Sequence, residues 1–197
     1  VELKKQTFFN FIEPLVDDIN ADIQKQRQGV LVIWDKVSRN DNPTNSELSY
    51  LSSLAKTYEM QADDYASLAF LNMLLRRVDE IPTSLALAQA ANESAWGTSR
   101  FAQNGYNFFG QWCYTDGCGI VPMRRLEGAS HEVRSFESVR DSVEAYIHNL
   151  NTFPSYQMLR RIRQQLRQQN RPVDGVSLAD GLESYSARGL DYVDEVQ

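Results

Sequence analysis

The first 28 residues carry apolar side chains at the spacing of a single helical face. Phe8, Phe9, Phe11, Ile12, Leu15, Val16, Ile19 and Ile23 recur every three or four positions. Such a stripe has to be buried against a partner, and most of the chain repeats the pattern. Pro14 interrupts the first run and is expected to kink or restart it. Residues 30–39 (VLVIWDKVSR) suit a helix or a strand, and the helix-period segments on both sides favour helix. NDNPTNSEL reads as a loop from which Asn45 or Ser46 opens a helix carrying Leu48, Leu51, Leu54, Ala55 and Tyr58. Residues 63–78 form a strongly apolar helix. After Pro82, Thr83 or Ser84 is expected to cap a helix running to Gly97. Its Ala86, Ala88, Ala90 and Ala91 allow close packing, so it should be buried.

Residues 98–105 read as a short helix and turn. Residues 107–136, with their glycines, cysteine pair and alternating HEVRSF, read as a small β-hairpin lobe. Ser138 caps a helix over VRDSVEAYIHNLNTF, and Pro154 opens a new segment. Residues 155–169 form a basic amphipathic helix with Met158, Leu159, Ile162 and Leu166 inward. Arg160, Arg161, Arg163, Arg167 and Arg171 are read as its solvated face. VSLADGLESYSARG is a last helix ending at Gly189. The fold class is therefore mainly α (α+β): a helical body with a small β-lobe. Residues 1–80 are read as a helical extension on a compact unit over 81–197.

The 197 residues are 42% hydrophobic and 23% charged, which suits a globular chain with a real core. A net charge of −6 argues against nucleic acid as the main partner. No apolar run approaches the roughly 20 residues needed to span a bilayer. VELKKQTFFNFIEPL is amphipathic and does not read as a signal peptide; a start without Met suits a trimmed or mature form. Cys113 and Cys118 frame CYTDGC, which suits a small disulfide loop in an oxidising compartment, two free thiols being the alternative. A metal site would need more ligands, and the only histidines are His131 and His148.

One carboxylate stands out. SLALAQAANESAWG places Glu93 near the end of a helix of small and apolar residues. There its charged form loses hydration and its pKa rises, as a general acid at neutral pH requires. Trp96, one turn on, is expected on the same side, where it could desolvate the acid and stack on a sugar ring. The alternatives are an exposed Glu93 or one paired to Arg100. Tyr106, Phe108, Phe109 and Trp112, interleaved with Asn107 and Gln111, combine flat apolar faces with amides, a mixture that suits carbohydrate. A glycosidase usually needs a second carboxylate across the scissile bond. Asp116, Glu127, Glu132 and Glu137 are candidates; Glu132 is favoured and Glu127 is the runner-up. Tyr185 and Tyr192 either pack helices or place a phenol in the cleft.

At these residues the sequence resembles the bacterial glucosaminidase family of cell-wall hydrolases. The matching stretches are SLALAQAANESAWGTSRFAQNGYNFFGQWCYTDGCGIVP, HEVRSFESVRDSVEAYIHNLNT and YSARGLDYVDEV, with the form A-x-x-E-S-x-W-G followed by N-x-F-G. FFNFIEPLVDDIN is similar to the Bax-like subgroup of Gram-negative bacteria. The resemblance implies a lysozyme-like fold with a groove between helical lobe and β-lobe. It implies cleavage of the β-1,4 bond after N-acetylglucosamine in peptidoglycan, in the periplasm or at the cell surface. Carried over, Glu93 becomes the general acid, and Trp96, Asn107, Phe109 and Tyr185 become groove residues. No metal or organic cofactor is implied, and the partners are peptidoglycan glycan strands. The acidic residue that some relatives carry on the β-lobe has no unambiguous counterpart in PMRRLEGASHEV. A substrate-assisted route would need no protein nucleophile. A non-catalytic sugar-binding module and a lytic transglycosylase are the alternative readings.

Overall fold

A computed structural model describes residues 2–123, 128 and 130–197. Its first element, α1 (Glu2–Ser38), has 37 residues and spans about 55 Å. It passes through Pro14 without a break, so neither the expected restart nor a separate element over 30–39 is found. The reason is tertiary. Phe8, Ile12, Val16, Ile19, Ile23, Val30 and Ile33 are buried along one continuous face, whereas Pro14 sits on the exposed side. The cost of the missing backbone hydrogen bond is offset by that packing. Gly29 lies where α2 (Asn45–Thr57) crosses: a β-carbon there would be 2.7 Å from the Tyr50 hydroxyl, which itself donates to the Gln26 carbonyl.

The cap of α2 is Thr44 rather than Asn45 or Ser46. Thr44 Oγ1 accepts from the Glu47 amide while Glu47 accepts from the Thr44 amide, a reciprocal capping box. The next helix, α3 (Leu68–Arg77), starts later than expected because Asp64 turns the chain through the Ala66 amide and Ser67 provides the cap. In α4 (Thr83–Ser94) neither Thr83 nor Ser84 caps; the N-cap is Pro82, and Thr83 Oγ1 donates to Asp17 on α1. This helix ends before Gly97. Ala95, Trp96 and Gly97 have φ of 50°, 60° and 75°, a left-handed run that turns the chain sharply. Ser94 fastens the turn by donating to the Ala90 carbonyl and accepting from the Gly97 amide.

After α5 (Arg100–Gly105), capped by Ser99, come β1 (Trp112–Cys113), β2 (Gly119–Ile120) and β3 (Glu132–Arg134). They form a three-stranded antiparallel sheet in the order β1-β3-β2. The β-lobe is thus not a simple hairpin: β3 comes last in sequence and lies in the middle. Cys113 and Cys118 are joined by a disulfide. The body continues with α6 (Val139–Thr152), capped by Ser138 as expected, a 3₁₀ turn over Pro154–Tyr156, and α7 (Gln157–Gln168). Of the last expected helix only the start is helical, in α8 (Gly175–Ala179); turns follow to Gly189, and a separate α9 (Leu190–Val196) lies beyond it.

Two expectations about α7 are corrected. Met158 is exposed rather than inward, and the arginines are only partly a solvated face: Arg161 and Arg171 are exposed, but Arg160 and Arg163 are buried, the latter at 1% exposure. Arg163 donates to the carbonyls of Arg76, in the last turn of α3, and of Asp79 and Glu80 just past it. Arg27 and Arg167 flank the buried Asp79 carboxylate. The connection between α3 and α4 is thereby tied to α1 and α7. Apolar residues from Phe8 to Val196 form one core cluster, which includes α1. The protein is mainly α with a small β-lobe, and among the described residues no helix is long and apolar enough to cross a membrane.

Candidate active site

Glu93 lies in the last turn of α4, half-buried. Four residues earlier, on the same face, is Gln89, with no exposed surface. Close packing of Leu85, Ala86, Ala90 and Ala91 fixes the rotation of the helix, and so the direction of this polar face. The Tyr146 hydroxyl of α6 donates to Gln89 Oε1 at 2.7 Å, and Gln89 Nε2 donates to the Tyr192 hydroxyl of α9 at 2.9 Å. The Tyr192 hydroxyl in turn lies beside the Glu93 carboxyl, close enough to favour its ionised form.

Opposite α4, the chain comes close at Gly110, whose φ is +65°. A β-carbon there would lie 3.0 Å from Glu93 Oε2, so the backbone itself walls the carboxyl. That loop is held by Tyr185, whose hydroxyl donates to the Phe109 carbonyl at 2.8 Å. The Tyr185 ring stacks on Tyr192, with centroids 5.6 Å apart and planes at 7°. The Phe109 ring stacks on Tyr146.

Burial dominates the electrostatics of Glu93 and raises its pKa above the ordinary value of 4.5. The Tyr192 hydroxyl and the charge of Arg188 oppose that rise, and Glu195 adds to it. Arg188 is itself paired with Glu195 at 2.5 Å. Arg100, the ion-pair partner considered above, donates instead to the Val121 carbonyl, and no ion pair to Glu93 occurs among the described residues. The site therefore holds a partly desolvated carboxyl that can carry a proton above the usual carboxylate range.

The expected site residues divide. Glu93, Tyr185, Tyr192 and the Phe109–Gly110 backbone come together. Trp96 does not share the Glu93 face, because the helix ends at Ser94 and the left-handed turn redirects it. Its ring packs on Phe8 and Phe9 of α1, with the Lys5 ammonium over it. Asn107 and the Phe109 side chain are each 1% exposed, so they lie beneath the surface and not on it. Asn107 Nδ2 donates to the carbonyls of Gln111 and Arg134, and Oδ1 accepts from the amides of Phe109 and Gln111, which shapes the loop. Gln111 donates to the Ser142 carbonyl, joining the β-lobe to α6.

Of the expected site aromatics, Tyr106 and Trp112 are exposed, and Trp112 stacks on His131 with centroids 4.3 Å apart. Glu132 is 5% exposed and accepts from the amides of Gly117, inside the disulfide loop, and Gly119, just after it. Its neighbours Cys113 and Cys118 could hold a metal only as free thiols, and they are joined to each other. Glu127 lies outside the described residues. Gln89, Tyr156 and Arg188 were not singled out from the sequence. The spacing of Gln89 and Glu93 was the available signal for the first; the other two are brought in only by the tertiary fold.

The Glucosaminidase family model, described as mannosyl-glycoprotein endo-beta-N-acetylglucosaminidase, matches residues 71–188. The match begins inside α3 and contains Glu93, Gly110 and Tyr185. A curated relative, Protein bax of Escherichia coli strain K12, is 34% identical over 189 residues. That alignment covers 96% of this chain and 66% of the relative, so the chain spans just under two thirds of the relative's length. No solved structure matches the chain. A family match over more than half of the chain, enclosing the half-buried acid and the loop that walls it, shows that the chain belongs to the glucosaminidase family, in its Bax-like branch.

Proposed function

We propose that the protein is a peptidoglycan hydrolase that cleaves the β-1,4 bond after N-acetylglucosamine, with Glu93 as general acid. The observation that carries this reading is the Glu93 carboxyl itself, half-buried, walled by the Gly110 backbone, and in no ion pair among the described residues. Family membership supports the reaction class. The disulfide supports an oxidising compartment, the periplasm or the cell surface.

In the proposed reaction, protonated Glu93 gives its proton to the glycosidic oxygen as the C1–O bond breaks. The acetamido oxygen of the same sugar attacks C1, forming an oxazolinium ring. Water then opens that ring, giving its proton to the Glu93 carboxylate and restoring the starting state. This route is favoured over a second protein carboxylate because the Glu132 carboxyl already accepts two loop amides. The exposed Trp112–His131 stack and Tyr106 offer flat faces for sugar rings on the β-lobe. Tyr185 acts by holding the Phe109–Gly110 backbone beside the acid.

Digestion of purified peptidoglycan followed by mass spectrometry tests the proposal. The expected products are muropeptides with reducing N-acetylglucosamine ends. Anhydromuramic ends would make the protein a lytic transglycosylase. Binding without products would make it a sugar-binding module of the envelope.

A further inference from the structure

Deepening the reading of Glu93 as the acid, we infer that Gln89 is a positioning residue whose amide aims the Tyr192 hydroxyl proton at the Glu93 carboxyl. The argument is one of donors and acceptors. A primary amide presents an oxygen that only accepts and a nitrogen that only donates. Gln89 Oε1 takes the Tyr146 proton at 2.7 Å, and Nε2 gives a proton to the Tyr192 oxygen at 2.9 Å. Tyr192 has one hydroxyl proton, and with its oxygen already accepting, that proton is left for Glu93.

The reverse orientation of the amide would draw the Tyr192 proton onto Gln89 and turn a phenol lone pair toward the carboxylate. The carboxylate at one end of the chain therefore selects its direction through to Tyr146 at the other. Gln89, Tyr146 and Tyr192 are at most 1% exposed, so water does not offer substitute partners. The groups that act on the Glu93 charge are Tyr192, Arg188 and Glu195, with Tyr156 and Tyr185 close enough to feel it.

The consequence is a tuned acid. Burial favours the protonated form, and the aimed hydroxyl favours the ionised one, so that Glu93 can both release its proton and take it back. Gln89 itself is placed behind Tyr192 and acts only through that hydroxyl. The relay also joins α4 and α6, inside the family match, to α9 beyond its end at residue 188.

The test is the carboxyl-carbon NMR titration of Glu93 in the whole protein, compared with Gln89→Met, Tyr146→Phe, Tyr192→Phe and the Gln89→Met/Tyr192→Phe double variant. Gln89→Met and Tyr192→Phe are each expected to move the Glu93 midpoint upward by about one pH unit. The double variant is expected to move it no further than Tyr192→Phe alone. Tyr146→Phe leaves Gln89 Oε1 unfilled and lets the amide reverse, so it too is expected to move the midpoint upward from two hydrogen bonds away. This variant also keeps the question answerable should Gln89→Met fail to fold. An unchanged midpoint in Tyr146→Phe and Gln89→Met, or additive shifts in the double variant, would overturn the inference. Because the readout is a titration, a protein that binds peptidoglycan without cleaving it would sink the proposed function and leave this test standing.

Discussion

Gly110 and Glu93 meet across the site: a methyl group on the Gly110 α-carbon would stand 3.0 Å from Glu93 Oε2, and Gly110 has a left-handed φ of +65°. Gly110→Ala therefore acts twice. The left-handed backbone costs an L-residue about 1 kcal/mol, and the new methyl pushes on the carboxyl. The expected result is a melting temperature lower by about 2–4 °C with turnover reduced at least about tenfold, beyond what the stability loss explains. Thermal melts and peptidoglycan digestion check the two effects separately.

Glu93 also sets a pH dependence of stability. Its carboxyl pKa is raised in the folded protein, chiefly by burial. Its stabilising contribution is then present while it is protonated and is lost as pH rises through the raised value. Above that value the ionised, half-buried group works against the fold. Glu93→Gln is expected to be more stable than the parent at pH 7 by about 1 kcal/mol, and the gap should close below about pH 4.5. Melting curves across pH measure it; a variant less stable than the parent at pH 7 would contradict the burial argument.

Glu132 is expected to matter for stability more than for chemistry. In Glu132→Gln one of the two accepting oxygens becomes an NH₂ group facing a loop amide of Gly117 or Gly119. A loss of about 2 kcal/mol in denaturant unfolding is expected, with turnover within tenfold of the parent. A hundredfold loss of turnover at unchanged stability would make Glu132 the second carboxylate and replace the substrate-assisted route.

Arg163 is the test of the scaffold. Its guanidinium binds three carbonyls at and beyond the end of α3 and lies 3.7 Å from the buried Asp79 carboxylate. Burial lowers the Arg163 pKa to about 10, so it remains charged at neutral pH. Arg163→Leu removes those bonds and part of the charge that compensates Asp79, and should cost about 3 kcal/mol. Urea denaturation reads the loss directly. Arg161→Leu, on the exposed side of the same helix, should cost little.

The helical body was legible because its apolar residues follow the helical period, and Ser138 and the alanine-rich packing of α4 could be read directly. What failed was decided by tertiary contact. Pro14 lies on the free side of α1, so packing of the opposite face carries the helix past it. Arg163 looked like a charge for solvent because nothing in α7 shows that its row faces the open carbonyls of α3. The acid Glu93 was visible as a charge among small residues, but its company was only partly so. Helical spacing places Trp96 only if the helix continues, and it ends at Ser94; Asn107 suits a sugar contact by type, but its amide is needed by three backbone groups of its own loop and one of β3. Gln89 carries no signal apart from its spacing to Glu93, and its partners come from α6 and α9.

The most direct test of Glu93 as proton donor is the rate at which the parent and Glu93→Gln release reducing ends from purified peptidoglycan, with both shown to be folded. Glutamine keeps the shape of the side chain and has no proton to give. The expected result is active parent protein and a fall in rate of about 10²–10⁴-fold in the variant. A Glu93→Gln variant that cleaves at the parent's rate would contradict the assignment.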